Sequence, residues 1–409
     1  MQGLRVRAGA LRVALGTSLF GTAAIAGCLL VDSFSGYDVD GGSAADAHAG
    51  SDARADGRIS DAGADVTRAD SSVCSADTGS DPLNCGICGH SCLGGGCADG
   101  LCTPITLIAN LRAPWAIAVT PTAVYAADYV SDAGLYMWQD GATSTFATNE
   151  DFPRSIAVSA TNIYWTTEKG LRTCPLPVMA STCTPTTVGP AKETDIVTPG
   201  MDGGSIFWTT KTQGEVWSLT TGGEAGVVVS GLEQPLGVIE YPGGTGELFW
   251  TSLGSLDAAS PIDAGALGRA TPDGSLAEPT FVSGQNHPQR VAFGGPQTLV
   301  WTNQGSPEFG PGAVMACRYD TGFCQGFDVC DTLNGALGVV ANATTAYFTW
   351  QVVGGGVFSL ALAPSGGCVV GSAKEIVSHR PEPANLADDT QYLYWTEYVL
   401  DGSVQRVAK

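Results

Sequence analysis

A repeat constrains this chain more than any other feature. An aromatic or aliphatic residue, a tryptophan and a threonine recur as Tyr164-Trp165-Thr166, Phe207-Trp208-Thr209, Phe249-Trp250-Thr251, Val300-Trp301-Thr302 and Tyr394-Trp395-Thr396. Weaker copies are Val124-Tyr125-Ala126 and Ala346-Tyr347-Phe348-Thr349. With Ala126 and Phe348 as the aligned positions, the copies stand 39, 43, 42, 51, 47 and 47 residues apart. A period of this size describes units that cannot bury their apolar faces alone and must stack on one another. Twelve to fifteen residues upstream, five copies carry Pro-x-x-aliphatic, beginning at Pro114, Pro153, Pro235, Pro288 and Pro383. Downstream, most have a glycine and an alternating run, such as Gly214-Glu215-Val216-Trp217-Ser218-Leu219 and Gly402-Ser403-Val404-Gln405-Arg406-Val407.

Each unit thus offers three short strands and a fourth before the next proline, as at Val227 to Ser230. Four strands per unit, with turn residues between them and no long helical period, predict the blade of an all-β propeller. The ends of the array set the number of blades. Ile105 to Ala109 reads as an outer fourth strand with no three before it, and the chain's last strand, ending near Val407, is a third. If the first strand completes the last blade, the ring closes and no sheet edge is left unpaired. Seven blades over residues 103–409 follow; six, with the first copy a false match, is the alternative.

The Tyr-Trp-Thr elements resemble those of the YWTD and related propellers of extracellular proteins. That family usually has six blades and an aspartate after the threonine. Here Thr167, Thr210, Ser252, Asn303 and Glu397 stand in that place, so the family's ligand habits do not transfer.

In a blade of this kind the residues after the repeat proline rim one mouth of the central channel. They are Trp115, Arg154, Ser155, Thr194, Asp195, Gln289, Arg290 and Asn385, with Leu236, Gly237, Leu337 and Gly338 as apolar or small members. Polar and aromatic groups converging on a mouth make a candidate binding site, and Trp115, Arg154, Asp195, Gln289, Arg290 and Asn385 are its expected ligand-binding residues. The bland alternative is contact with water and neighbouring blades. Long second-to-third connections at 252–264 and 303–311 are expected to overhang the same face.

The N-terminus reads as an export signal. Arg5, Arg7 and Arg12 precede an uncharged stretch, Val13 to Ala26, that ends in Ile25-Ala26-Gly27-Cys28. Those last four residues resemble the lipobox of bacterial lipoproteins, which implies removal of residues 1–27 and acylation of Cys28. The alternative is an uncleaved anchor, because Val13 to Val31 is nearly long enough to span a bilayer. Leu29 lacks the aspartate that, in the best-known lipoprotein sorting rule, retains proteins at the inner membrane; the resemblance therefore favours an outer-membrane lipoprotein of the cell envelope. From 29 to 73 there are nine aspartates, three arginines and almost no large apolar residue after Tyr37. Such a segment cannot offset its ordering entropy and is expected to be a disordered tether over 28–73.

Six cysteines follow in 74–102: Cys74, Cys85, Cys88, Cys92, Cys97 and Cys102. Zinc and iron–sulfur sites use similar spacings. In an exported chain, an even number of closely spaced cysteines forms disulfides instead, in one of fifteen connectivities. The run Asn84-Cys85-Gly86-Ile87-Cys88-Gly89-His90-Ser91-Cys92 resembles a short cysteine repeat of surface proteins from large-genome Gram-negative bacteria. His90 within it reads as a solvated loop residue. In the repeats, Cys174 is matched with Cys183 and Cys317 with Cys324, stapling third-to-fourth strand hairpins, which leaves Cys330 for Cys368.

Forty acidic against 19 basic side chains, a formal net charge of −21, exclude a general phosphate-neutralising surface, so no nucleic-acid partner is expected. The catalytic search yields no residue. No nucleophile elbow, zinc helix or phosphate loop is present, and no cofactor is implied. Asp195 and Asn385 at the mouth would be a metal site as in some propeller lactonases and lyases, but two ligands fall short of the six to eight oxygens that calcium takes. The expected function is display of a propeller that binds a protein, peptide or glycan, with a metal-dependent propeller enzyme or a structural envelope protein as the alternatives.

Overall fold

The computed structural model describes residues 77–409 except 178–182, 201–202, 221–222, 243–245, 255–263, 296, 306–310 and 321–322. The expected export signal, the expected acylation site Cys28, the expected tether and Cys74 lie outside the described residues, as do the central parts of both long connections.

Seven four-stranded antiparallel sheets form a propeller ring. The innermost strands of blades 1 to 7 are Pro114–Val119, Ile156–Val158, Val197–Pro199, Pro235–Glu240, Pro288–Gly294, Ala336–Ala341 and Pro383–Asp388. Blade 7 continues with Tyr392–Glu397 and Leu400–Ala408, and its outer strand is Ile105–Arg112 from the start of the array. The N-terminal strand therefore closes the ring, and the six-bladed alternative is excluded.

The core is distributed between blades. Trp165 of blade 2 packs with Leu135, Phe146 and Ala147 of blade 1. Trp301 of blade 5 packs with Phe249, Leu267 and Val282 of blade 4, and Trp395 of blade 7 with Tyr347, Val357 and Val377 of blade 6. All five repeat tryptophans, Trp165, Trp208, Trp250, Trp301 and Trp395, and Phe348 are fully buried. At about 25 cal/mol per Å² and roughly 200 Å² per ring, each contributes on the order of 5 kcal/mol before ordering costs. The repeated aromatic is thus the wedge between one blade and the one before it.

The threonine beside it has an equally regular task. Thr302 Oγ1 accepts the Arg290 amide of its own blade at 3.3 Å and donates to the Leu337 carbonyl of the next at 2.6 Å. Thr166, Thr209, Thr251, Thr349 and Thr396 do the same toward Asp195, Leu236, Gln289, Ala384 and Trp115. Only blade 1, with Ala127 there, lacks the hydroxyl. Six buried hydroxyls therefore tie the innermost strands together just below the repeat prolines.

The prolines mark a sharp turn. Ala113, Phe152, Gln234, His287 and Glu382, each immediately before one, have φ between 45° and 56°. A left-handed conformation costs a non-glycine residue roughly 1–2 kcal/mol, and it recurs five times at one place in the repeat. Blade 6 uses Gly335, at φ 91°, instead.

Within the disulfide-rich region, Cys85 is bonded to Cys97 and Cys92 to Cys102, and Cys88 is also in a disulfide. Buried Cys85, Cys92 and Cys102 pack against Tyr347, Val377, Trp395 and Val407 of blades 6 and 7. The expectation of a solvated His90 is corrected here. Its Nδ1 lies 2.7 Å from the Cys85 carbonyl oxygen and its Nε2 2.9 Å from that of Lys409, so the ring links this region to the propeller. Lys409 and Tyr392, which donates to the Leu93 carbonyl, stand at strand ends opposite the repeat prolines. In the ring the disulfides are Cys174–Cys183, Cys317–Cys324 and, between blades 5 and 6, Cys330–Cys368.

Candidate functional site

The turn before each innermost strand delivers two residues to the proline end of the channel. The first is Trp115, Arg154, Asp195, Leu236, Gln289, Leu337 or Ala384, and the second includes Ser155, Ile196, Gly237, Arg290, Gly338 and Asn385. A cavity of about 440 Å³ opens there, lined by Trp115, Arg154, Asp195, Leu236, Gln289 and Arg290 of the expected set. Asn385 lies just inside, on the wall of the 540 Å³ channel lumen, which is otherwise mostly apolar strand. Ser155 also lines the lumen, while Thr194 is buried, bonding the backbone of Thr167.

Ile196 and His287 also line the cavity, and Tyr129, Lys211, Leu253, Gln304, Gln351 and Tyr398 complete its wall. These six were not among the expected residues, yet a signal for them was present. Each stands two residues after the repeat threonine or its equivalent, where the second strand runs into the mouth.

The two sides of the mouth differ. On the side of blades 2 and 3, Arg154 donates to Asp195 Oδ1 at 2.8 Å, to Glu193 Oε1 and to the Tyr129 hydroxyl at 3.1 Å. Glu168 lies 3.7 Å away. Burial pulls the guanidinium down, yet Asp195, Glu193 and Tyr129 outweigh it and leave its pKa above the ordinary value. Asp195, whose side chain is 4% exposed, takes the Lys211 amide on Oδ2 at 2.9 Å. Burial raises its carboxyl above the usual range, against the pull of Arg154.

On the side of blades 5 to 7, Arg290 Nε donates to Asn385 Oδ1 at 3.1 Å, and Asn385 Nδ2 donates to the Trp115 carbonyl at 2.9 Å. No carboxylate among the described residues pairs with this guanidinium. Its side chain borders the lumen and retains some accessible surface, but protein encloses it, and that enclosure pushes its pKa down to about 10 against the field of Asp195. The Trp115 ring meets Tyr398 edge-on at 4.9 Å and Tyr129 at 6.1 Å, giving the mouth an aromatic shelf.

Both carboxylate oxygens of Asp195 and the amide oxygen of Asn385 are thus engaged with protein donors. The only cluster of metal-ligating side chains among the described residues is Cys85, Cys92 and Cys102, all of them in disulfides.

No protein-family model matches the sequence, and no curated protein matches it. Solved structures do. A virginiamycin B lyase from Staphylococcus aureus, determined with quinupristin, is 14% identical with a TM-score of 0.58, covering 75% of this chain and 98% of that one. The hydrazine synthase of Kuenenia stuttgartiensis is 11% identical at 0.58, covering 73% and 96%. A PQQ-bound aldose sugar dehydrogenase from Streptomyces coelicolor is 12% identical at 0.50, covering 74% and 96%. At such identities the likeness is of the propeller fold alone, and a fold does not fix a function.

Proposed function

We propose that the chain is an exported envelope lipoprotein, acylated at Cys28, whose propeller binds a ligand at the proline end of its channel. The observation that carries this reading is the mouth cavity, where an aromatic shelf, an amide wall and a guanidinium without a carboxylate partner converge in one concave space. Concavity, apolar surface and a few placed polar groups are what a ligand site needs. The disulfide-rich region packs at the opposite end of the ring. The ligand is a small molecule, or the end of a peptide or glycan, since the cavity is of small-molecule size.

A second reading, catalysis at this mouth, is favoured by His287 and Asp195 lining the same cavity. Against it stands the engagement of both Asp195 carboxylate oxygens, by the Arg154 guanidinium and the Lys211 amide. Screening the full exported chain against small-molecule and glycan panels, with Trp115→Ala in parallel, tests the binding reading. Retention of hits that Trp115→Ala loses supports it; turnover of a hit, abolished in His287→Ala, replaces it with the enzyme. Fatty-acid labelling of wild type against Cys28→Ala tests the anchor, and equal labelling would discard it.

A further inference from the structure

Arg290 stands apart from the other charges of the mouth. A guanidinium has five N–H donors. Nε uses one on Asn385 and Nη1 one, at 3.4 Å, on the Gln289 carbonyl, and the other three meet no acceptor among the described residues. Enclosing a cation without a carboxylate in contact is costly, and the open space beside this one is the cavity and lumen that it lines. The equivalent positions on either side are Gly237 and Gly338. A Cβ on Gly237 would stand 3.2 Å from Arg290 Cα and 2.9 Å from the Gln289 carbonyl; one on Gly338 would meet Ala384 O at 2.8 Å. The glycines let neighbouring strands approach closely and leave the guanidinium flanked by bare backbone. Arg290 consequently reaches past blade 6 to Asn385 of blade 7.

The charge around it is also exceptional. In a chain with 40 acidic and 19 basic side chains, this cavity is lined by Arg154, Lys211 and Arg290 against Asp195 alone. Arg154 is held by its own carboxylates and Lys211 faces the field of Glu193 and Asp195, so the enclosed guanidinium with no carboxylate in contact is Arg290, where mouth and lumen meet. Trp115 is linked to it through Asn385, which bonds the Trp115 carbonyl.

We infer that Arg290 and Asn385 form an oxyanion anchor, and that the ligand of the mouth carries a carboxylate or phosphate next to an apolar ring that rests on Trp115 and Tyr398. This inference rests on the binding reading and narrows it to a ligand class. Arginine suits the role because its planar fork matches both oxyanions. The cavity beside Arg290 admits the anionic group, and the aromatic shelf takes the ring.

The test measures thermal unfolding and tryptophan fluorescence of the full exported chain with sodium benzoate, phenyl phosphate and benzamide, at matched ionic strength. Benzamide keeps the ring and removes the charge. At least one of the two acids is expected to bind about tenfold more tightly than the amide, the gain typical of a charge-assisted hydrogen bond. Which acid does so separates carboxylate from phosphate. In Arg290→Met the preference disappears, while the protein unfolds at the same or a higher temperature without ligand. Equal binding of acids and amide, no binding of any probe at millimolar concentration, or an acid preference that survives Arg290→Met overturns the anchor. So does Arg290→Met unfolding several degrees lower, which would make the residue structural. If probes bind without acid preference and Trp115→Ala weakens them, the mouth stands and only the anchor falls; if neither substitution affects binding, the mouth falls too.

Discussion

Arg154 and Arg290 occupy one mouth and differ in almost everything but side-chain type. The first comes one residue after a repeat proline and finds Asp195, Glu193, Glu168 and a tyrosine hydroxyl around it. The second comes two residues after its proline, between two glycines, and finds one amide and one backbone carbonyl. One wall of the mouth is electrostatically complete, and the other has donors to spare. In a closed ring that asymmetry separates a wall whose charges answer one another from a wall that, on the proposed binding reading, takes the guest.

The comparison breaks most readily at its cohesive wall. Arg154→Met leaves Asp195 buried without its counter-charge and is expected to cost about 3 kcal/mol or more, seen as a lower urea midpoint; an unchanged midpoint would mean that the cluster contributes no cohesion. Next in size, Thr302→Val removes the hydroxyl that serves the Arg290 amide and the Leu337 carbonyl. It should cost about 1–2 kcal/mol, whereas Ala127→Val in blade 1, where no such hydroxyl exists, should lack that hydrogen-bond penalty. Arg290→Met acts in the opposite direction to Arg154→Met and is expected to stabilise by about 1 kcal/mol, a degree or more in Tm. The smallest effect is one of pH. Burial raises the native carboxyl of Asp195 above the ordinary value. Through that window the folded chain holds more proton than the unfolded one, and the contribution of Asp195 falls as pH rises. Tm profiles of wild type and Asp195→Asn should therefore drift in the variant's favour from about pH 4 toward neutrality, and the reverse drift would mean that Arg154 overrides burial.

Much of the architecture was legible because it is written as a period. Pro114, Pro153, Pro235, Pro288 and Pro383 marked the innermost strands, the Trp-Thr pairs marked the second strands, and the unmatched strand at Ile105 revealed how the ring closes. The mouth was legible in part for the same reason, since position after the proline brings Trp115, Arg154 and Gln289 to one rim. Partnership was not. Arg154 and Arg290 look alike in sequence, and their difference arises from blades that are not their own: Asp195 from blade 3 and Asn385 from blade 7. Tyr129, Lys211 and Tyr398 escaped because their offset from the threonine matters only once second-strand ends are seen to reach the cavity. His90 looked solvated because its partner, the Lys409 carbonyl, lies at the other end of the chain.

The closing strand has a kinetic consequence. Ile105–Arg112 pairs with Leu400–Ala408 almost three hundred residues later, so the seventh blade is completed only after the other six have been synthesised. Long-range pairing of this kind slows folding, because loop-closure entropy must be met before the contact stabilises anything. Until then the third strand of blade 7 is an open edge able to accept any extended peptide. A chain that meets copies of itself in that interval would exchange closing strands with them, and a low concentration or an escort during folding would favour the self-closed ring.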